Sequence, residues 1–184
     1  MATTLGNMTV SQFATYAATH GRCELIHGEV RDLSPTGARH GEITNRLNYF
    51  VSRHVYENGL GKVFAAETGF RLGDEANPTV RAPDIAFVAS DRAGQTDTPQ
   101  FVPIPPDLAV EVLSPDDRAS QVSEKVQWWL EHGAKRVWVV DPDNRTISVH
   151  VHDGRSQQLG RGDTLDGETV LEGFRVVVDD VFTS

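Results

Sequence analysis

The run Leu108-Ala-Val-Glu-Val-Leu113 constrains this chain more than any other stretch, because one glutamate sits in a segment otherwise composed for burial on both faces of a sheet. A charge in such a strand is costly to bury unless it is paired or bound to metal. Glu111 therefore demands a partner that the rest of the fold must bring. Period-two alternation puts Asp107, Ala109, Glu111 and Leu113 on one face and Leu108, Val110 and Val112 on the other. Upstream, Pro83–Ala89 reads as a second strand in which Asp84, Ala86 and Val88 share a face. In each strand the carboxylate has an alanine two positions away. If the two strands pair, both acids line a recess walled by small side chains.

The remaining chain supplies a scaffold in a recognisable order. Thr9 to Thr19 reads as a short helix with Thr9 as N-cap, Gln12 completing a capping box, and Gly21 as its stop. Two short β runs flank His27-Gly28 as a hairpin. From about His40, apolar residues at Ile43, Leu47, Val51 and Val55 give a second helix ending at Asn58-Gly59. Lys62–Leu72 alternates as one strand, and Ser90–Pro106 is an irregular excursion. Ser114, Asp116 or Asp117 is the expected cap of a helix whose core face is Ala119, Val122, Val126, Trp129 and Leu130, and Gly133 ends it. Arg136–Pro142 and Thr146–Val151 form a strand pair, and the tail from Leu165 to Phe182 reads as further short β segments. This order predicts an α/β (α+β) fold, a mixed central sheet flanked by helices with extra β-hairpins at both ends. With 184 residues, a single domain over 1–184 with its core at about 9–182 is expected.

Composition narrows the function. The net charge of −9 speaks against a protein that coats polyphosphate through a generally basic surface, while leaving room for an enzyme that gathers carboxylates at a metal site. The single cysteine, Cys23, excludes an internal disulfide and a cysteine-based zinc cluster, and reads as a small half-buried residue. Residues 1–6 lack the basic and apolar regions of a signal peptide, and no apolar run approaches the roughly 20 residues of a membrane span. A cytoplasmic protein without membrane attachment is expected.

Lys125 offers the charge that Glu111 needs. From about Asp116 to Lys125 the helix advances roughly 13 Å at its usual rise, and from Glu111 to Ser114 the strand advances roughly 10 Å. The two side chains come out nearly level if the helix runs back beside the strand. Oxygen-only ligation by Asp84 and Glu111, with no cysteine, favours Mg²⁺ or Mn²⁺ over zinc. Two readings stay open at this point. In one, Asp84, Glu111 and Lys125 converge around a divalent ion and cleave phosphodiesters. In the other, Glu111 and Lys125 are a buried ion pair and Asp84 is a strand-end turn residue. Glu24, His40 and Glu67 are secondary candidates: Glu24, with Glu29, reads first as a solvated strand edge, His40 as a residue of a helix's first turn, and Glu67 as the less bulky side of a strand. His150 and His152, two apart on a late strand, read as partly exposed strand histidines.

Several ordered blocks carry a resemblance. Cys-Glu-Leu-Ile-His-Gly-Glu-Val, Leu-Ser-Pro-Thr-Gly followed by His40, Ala-Pro-Asp-Ile-Ala-Phe-Val, Pro-Asp-Leu-Ala-Val-Glu-Val-Leu-Ser-Pro-Asp-Asp-Arg, Lys125 to Trp129, His-Gly-Ala-Lys-Arg-Val-Trp-Val-Val-Asp-Pro and Leu-Glu-Gly-Phe together resemble the restriction-endonuclease domain family called Uma-two, from about Thr9 to Phe182. That family belongs to the PD-(D/E)XK restriction-endonuclease-like group, whose metal-dependent nucleases use a mixed sheet flanked by helices. The resemblance implies that Asp84 is the aspartate of the Pro-Asp motif and Glu111 the acid of the following strand. Leu113 stands where the motif places a lysine, and Lys125 is implied as its substitute. Pro106-Asp107 is a rival Pro-Asp pair. The implied activity is a Mg²⁺- or Mn²⁺-dependent endonuclease acting on nucleic acid, in the first place DNA. The alternatives are a nuclease-fold binding or structural module without catalysis, and a homodimer that completes its nucleic-acid surface through an exposed Trp128 or Trp129.

Overall fold

A computed structural model describes residues 7–183. Residues 1–6, read above as lacking a signal peptide, and residue 184 lie outside the described residues. The first helix, α1 (Val10–His20), begins at the expected cap: the Gln12 backbone N–H donates to Thr9 Oγ1, and the Thr9 N–H donates to the Gln12 side chain. Strands β1 (Cys23–Ile26) and β2 (Glu29–Asp32) pair antiparallel about His27-Gly28. Both turn residues have positive φ, 50° and 80°, which a two-residue hairpin turn of the primed type requires. Helix α2 (Ala38–Glu57) follows and buries Ile43, Leu47, Val51 and Val55 at the predicted spacing, together with His40.

The chain continues through β3 (Gly61–Ala65), β4 (Phe70–Leu72), β5 (Thr79–Arg81), β6 (Ile85–Ala89), a 3₁₀ turn at Ala93–Thr96 and β7 (Leu108–Val112). Helix α3 (Ala119–Glu131) leads to β8 (Arg136–Asp141), β9 (Thr146–Val151), β10 (Ser156–Leu159), β11 (Thr164–Asp166), β12 (Arg175–Val177) and α4 (Val178–Phe182). Among the described residues the central sheet has six strands in the order β10-β9-β8-β7-β6-β3. Its β7–β8 pair is parallel and its other pairs are antiparallel, so it is mixed, as expected. A parallel pair cannot be joined by a tight turn, and α3 is the crossover that joins it. A four-stranded sheet, β2-β1-β5-β4, and the β11–β12 pair complete the β structure.

The two faces of the central sheet carry different cores. On one face Leu108, Val110 and Val112 meet Leu47, Val51 and Val55 of α2 and the C-terminal residues Leu165, Leu171 and Phe174. On the other, Ala86, Val88 and Ala109 meet Val126 and Trp129 of α3 and Phe70 of β4. Strand β7 is buried throughout, which is why its sequence is apolar at both parities. A third, smaller cluster places Phe13 of α1 against Leu25 and Val80 of the four-stranded sheet. No described helix is long and apolar enough to cross a membrane.

Four expectations are corrected. The single strand over Lys62–Leu72 is two strands in two different sheets, because the chain turns at Ala66-Glu67, where Glu67 takes a φ of 72°. Helix α3 starts at Ala119 with Arg118 as an N-cap that makes no side-chain bond; Asp117 Oδ2 instead accepts the Ser114 N–H at 2.7 Å and ties the corner. The tail contains a helix, α4, whose Val178, Val181 and Phe182 are drawn into the α2 side of the core. Trp128 and Trp129 are both buried within the chain, so neither offers an exposed dimer contact.

The core assignment predicts a contrast within α2. Leu47→Ala, in the fully buried stripe, should lower the unfolding free energy by about 2–5 kcal/mol. Tyr49→Ala, exposed on the same helix, should change it by no more than about 0.5 kcal/mol. Urea denaturation of both variants checks the assignment.

Candidate active site

The register of β6 on β7 decides where the acids meet. Ile85 pairs with Val110 and Ala86 with Ala109; just before β6 the Asp84 N–H donates to the Val110 carbonyl at 3.0 Å and its carboxylate accepts the Val112 N–H, which sets Asp84 beside Glu111 at the end of β7. The strands are antiparallel, so the start of β6 lies beside the end of β7 and both acids occupy one edge of the sheet. Ala86 and Ala109 lie directly below them, and the room they leave is filled by Trp129 and Phe70, whose rings meet edge to face at 6.1 Å.

Glu111 is gripped from α3. Lys125 Nζ stands 2.9 Å from Glu111 Oε2, and the Trp129 indole N–H donates to Glu111 Oε1 at 2.7 Å. The two residues are four apart and share a helix face, so one turn of α3 supplies a cation and a neutral donor to the same carboxylate. Burial pushes Glu111 up to about 7; Lys125 opposes that shift, and the charges of Asp84 and Glu24 reinforce it. For Lys125, burial works against the charge, but Glu111, Glu24 and Asp84 outweigh it and hold the ammonium above the ordinary lysine range. The amine is held in its charged form, and Glu111 is the acid of the cluster pushed toward keeping a proton.

Asp84 is oriented by two donors on one oxygen. The Val112 N–H donates to Asp84 Oδ2 at 2.8 Å, and His40 Nε2 of α2 lies 3.3 Å from the same atom. Burial alone would raise the Asp84 carboxyl, but the His40 bond and the Val112 N–H prevail and lower it. His40 is raised in return, chiefly by that bond and against its own burial. Asp84 Oδ1 has no hydrogen bond among the described residues, and Asp84 opens onto a recess of about 430 Å³ beside His40 and Thr44.

Two residues read first as surface features belong to the cluster. Glu24 is not a solvated strand edge: it is 6% exposed in a strand with neighbours on both sides, 3.4 Å from Lys125 Nζ, with the Ala82 N–H donating to it at 3.2 Å. Its place between Cys23 and Leu25-Ile26 was the available signal. His40 is likewise buried and engaged with Asp84. Glu67, on the β3–β4 turn, is exposed and paired with Arg22, and it lines the same recess as Asp84 and His40. Trp129, read as a core residue and as one of two candidate dimer contacts, also donates to Glu111; its i+4 spacing from Lys125 marks that role. Asp107, the rival Pro-Asp acid, sits at the opposite end of β7 and is fully consumed by Arg92 at 2.9 Å, Lys135 at 2.8 Å and the Ala89 N–H at 2.8 Å. His152 Nδ1 lies 3.2 Å from the Leu130 carbonyl, and His150 is lowered by burial.

Among the described residues no three His, Cys, Asp or Glu side chains form a ready-made metal cluster. The donor set nevertheless suits Mg²⁺, which binds through one or two carboxylates and keeps several of its waters. Three carboxylates, Glu24, Asp84 and Glu111, face one lysine and one histidine, and Asp84 still has an uncommitted oxygen.

The family model for Uma2, described as "Putative restriction endonuclease", matches residues 10–179. The chain belongs to this family. A crystal structure of "a putative nuclease belonging to DUF820" from Anabaena variabilis ATCC 29413 is similar in fold, with a TM-score of 0.81 over 95% of this chain and 97% of that one at 21% identity. No curated protein sequence matches the chain. Family and fold are thus those described for a nuclease. Leu113 packs on the apolar face beside α3 and its N–H donates to the Val140 carbonyl at 2.9 Å, while Lys125 of α3 reaches Glu111.

The shift on Glu111 predicts a pH signature in metal-free protein. A glutamate raised from 4.5 to about 7 keeps a proton in the folded chain that the unfolded chain has released. Its contribution to stability is therefore full below the unfolded value and declines as pH rises through the folded one. Glu111→Gln lacks that decline. In urea melts with EDTA, the stability difference should shift in favour of the variant between about pH 5 and about pH 8; a difference that stays flat would contradict a proton on Glu111.

Proposed function

We propose that this protein is a Mg²⁺- or Mn²⁺-dependent endonuclease that hydrolyses phosphodiester bonds in DNA, with Asp84, Glu111 and Lys125 as its catalytic residues. The observation that supports it most is the charged Lys125 amine 2.9 Å from Glu111, at the sheet edge that β6–β7 pairing gives to Asp84 as well. Asp84 and Glu111 are the residues that would hold the ion, which when bound supplies Lewis acidity and a more acidic water. Lys125 brings a positive charge to where negative charge develops on the phosphate, and its preorganised place beside the carboxylates makes that charge effective. Glu24 also holds the ammonium, at 3.4 Å. Trp129 and His40 hold the two carboxylates in orientation, as outer partners of metal-binding groups generally do.

A second reading, a nuclease-fold module that binds without cleaving, is favoured by Leu113 at the motif position and by the engagement of Lys125 with two carboxylates. Plasmid nicking by purified protein with Mg²⁺ or Mn²⁺ separates the two. Asp84→Ala, Glu111→Gln and Lys125→Ala should each reduce nicking by about 100-fold or more; activity equal to wild type in Asp84→Ala would remove the enzyme reading. Calorimetric titration with Mn²⁺ supplies the complementary measurement, with heat expected for wild type and lost in Glu111→Gln. A wild type that binds no Mn²⁺ leaves the module reading in place.

A further inference from the structure

Two arginines outside the acid cluster share an unusual pair of features. Arg22, just before β1, and Arg81, at the end of β5, each have a buried Nε with no hydrogen-bond partner. Each is also held by a glutamate that is itself exposed. Arg81, with a side chain 4% exposed, lies 5.0 Å over the Trp128 ring, and its Nη2 donates to Glu124 Oε1 at 3.0 Å, where Glu124 is 55% exposed. Arg22 Nε is 3.0 Å from Oε1 of the 63% exposed Glu67, at an angle that makes no hydrogen bond, while its Nη1 donates to the Ser34 carbonyl. Both arginines line one recess of about 160 Å³ with Phe13, Val80 and Phe101. Arg81 also lines the neighbouring recess that holds Glu24, Glu111 and Lys125.

We infer that the recess between Arg22 and Arg81 binds a phosphate group, with Glu67 and Glu124 as the partners that the phosphate displaces. A guanidinium presents a planar fork of donors that matches a phosphate in pairs, and neither Nε makes a hydrogen bond. The two glutamates keep most of their hydration, so their ion pairs are weak and readily exchanged. Once Glu67, which lines the recess with them, is displaced, the arginines are the charged groups that a ligand meets there. Inorganic phosphate and a nucleic-acid backbone offer the same chemistry. The shared residue Arg81 points to the backbone, as a phosphate next to the scissile one, and that part rests on the nuclease reading.

The test uses full-length protein with two probes. Anisotropy of a labelled DNA duplex, in Ca²⁺ to prevent cleavage, reads backbone binding, and the melting temperature with added inorganic phosphate reads the isolated group. Glu67→Gln and Glu124→Gln should bind the duplex roughly 2- to 5-fold more tightly, the weight of an exposed ion pair. Arg22→Gln should weaken it about 10-fold and reduce the salt slope by about 1. Because Arg81 packs on Trp128 and its replacement can unfold the chain, these three variants carry the decision. If only the phosphate-induced rise in melting temperature responds to them, the site stands as one for free phosphate and its assignment to the backbone beside the scissile phosphate falls. A wild type that binds the duplex with the affinity of all three variants, and with no response of either probe, overturns the site while leaving the nuclease reading intact.

Discussion

The Glu111 carboxylate, buried in a strand that is apolar on both faces, has to be compensated from outside its own strand, and one end of the molecule is arranged around that requirement. The compensation comes from α3 because β7 and β8 are parallel. A parallel pair needs a crossover, and the crossover helix has to run back across the sheet. That path sets Lys125 and Trp129, one turn apart, above Glu111. Ala86 and Ala109 keep the sheet surface low enough for the indole to reach the carboxylate. A buried ion pair of this kind adds little net stability over apolar packing, since desolvating both ions costs several kcal/mol each.

The two facing acids are driven in opposite directions. Burial and like charge raise Glu111, while His40 and the Val112 N–H lower Asp84. Titratable neighbours whose surroundings push them apart are the usual mark of a site with divided roles. Asp84 is favoured in its ionised form with one oxygen free of hydrogen bonds among the described residues, and Glu111 is pushed toward keeping a proton. Lys125, between Glu24 and Glu111, is held in its charged form by Glu111, Glu24 and Asp84.

The pair of Pro-Asp dipeptides shows how much position within a sheet decides. Asp107 and Asp84 both directly precede a buried strand, but β6 and β7 run in opposite directions and the two residues fall at opposite ends. At one end Asp107 is surrounded by Arg92, Lys135 and a backbone donor and becomes a latch for the turn. At the other, Asp84 meets a histidine and an open recess. The acidic net charge fits this economy of local contacts, in which arginines such as Arg22 and Arg81 stand beside the acids in place of a broad basic surface.

By itself the sequence determined the parity of the two central strands, the α1 capping box, the β1–β2 turn and the buried stripe of α2, because each depends on spacing along a single element or on neighbouring ones. The break at Glu67, the burial of Glu24 and His40, the second role of Trp129 and the shared recess of Arg22 and Arg81 were decided only in three dimensions. Each of these brings together residues from elements far apart in the chain, and a local pattern cannot tell whether a polar side chain at a strand or helix end faces water or another element. Glu24 is the clearest instance: its hairpin reads as an exposed edge until β5 pairs along its other side and α3 carries Lys125 within 3.4 Å.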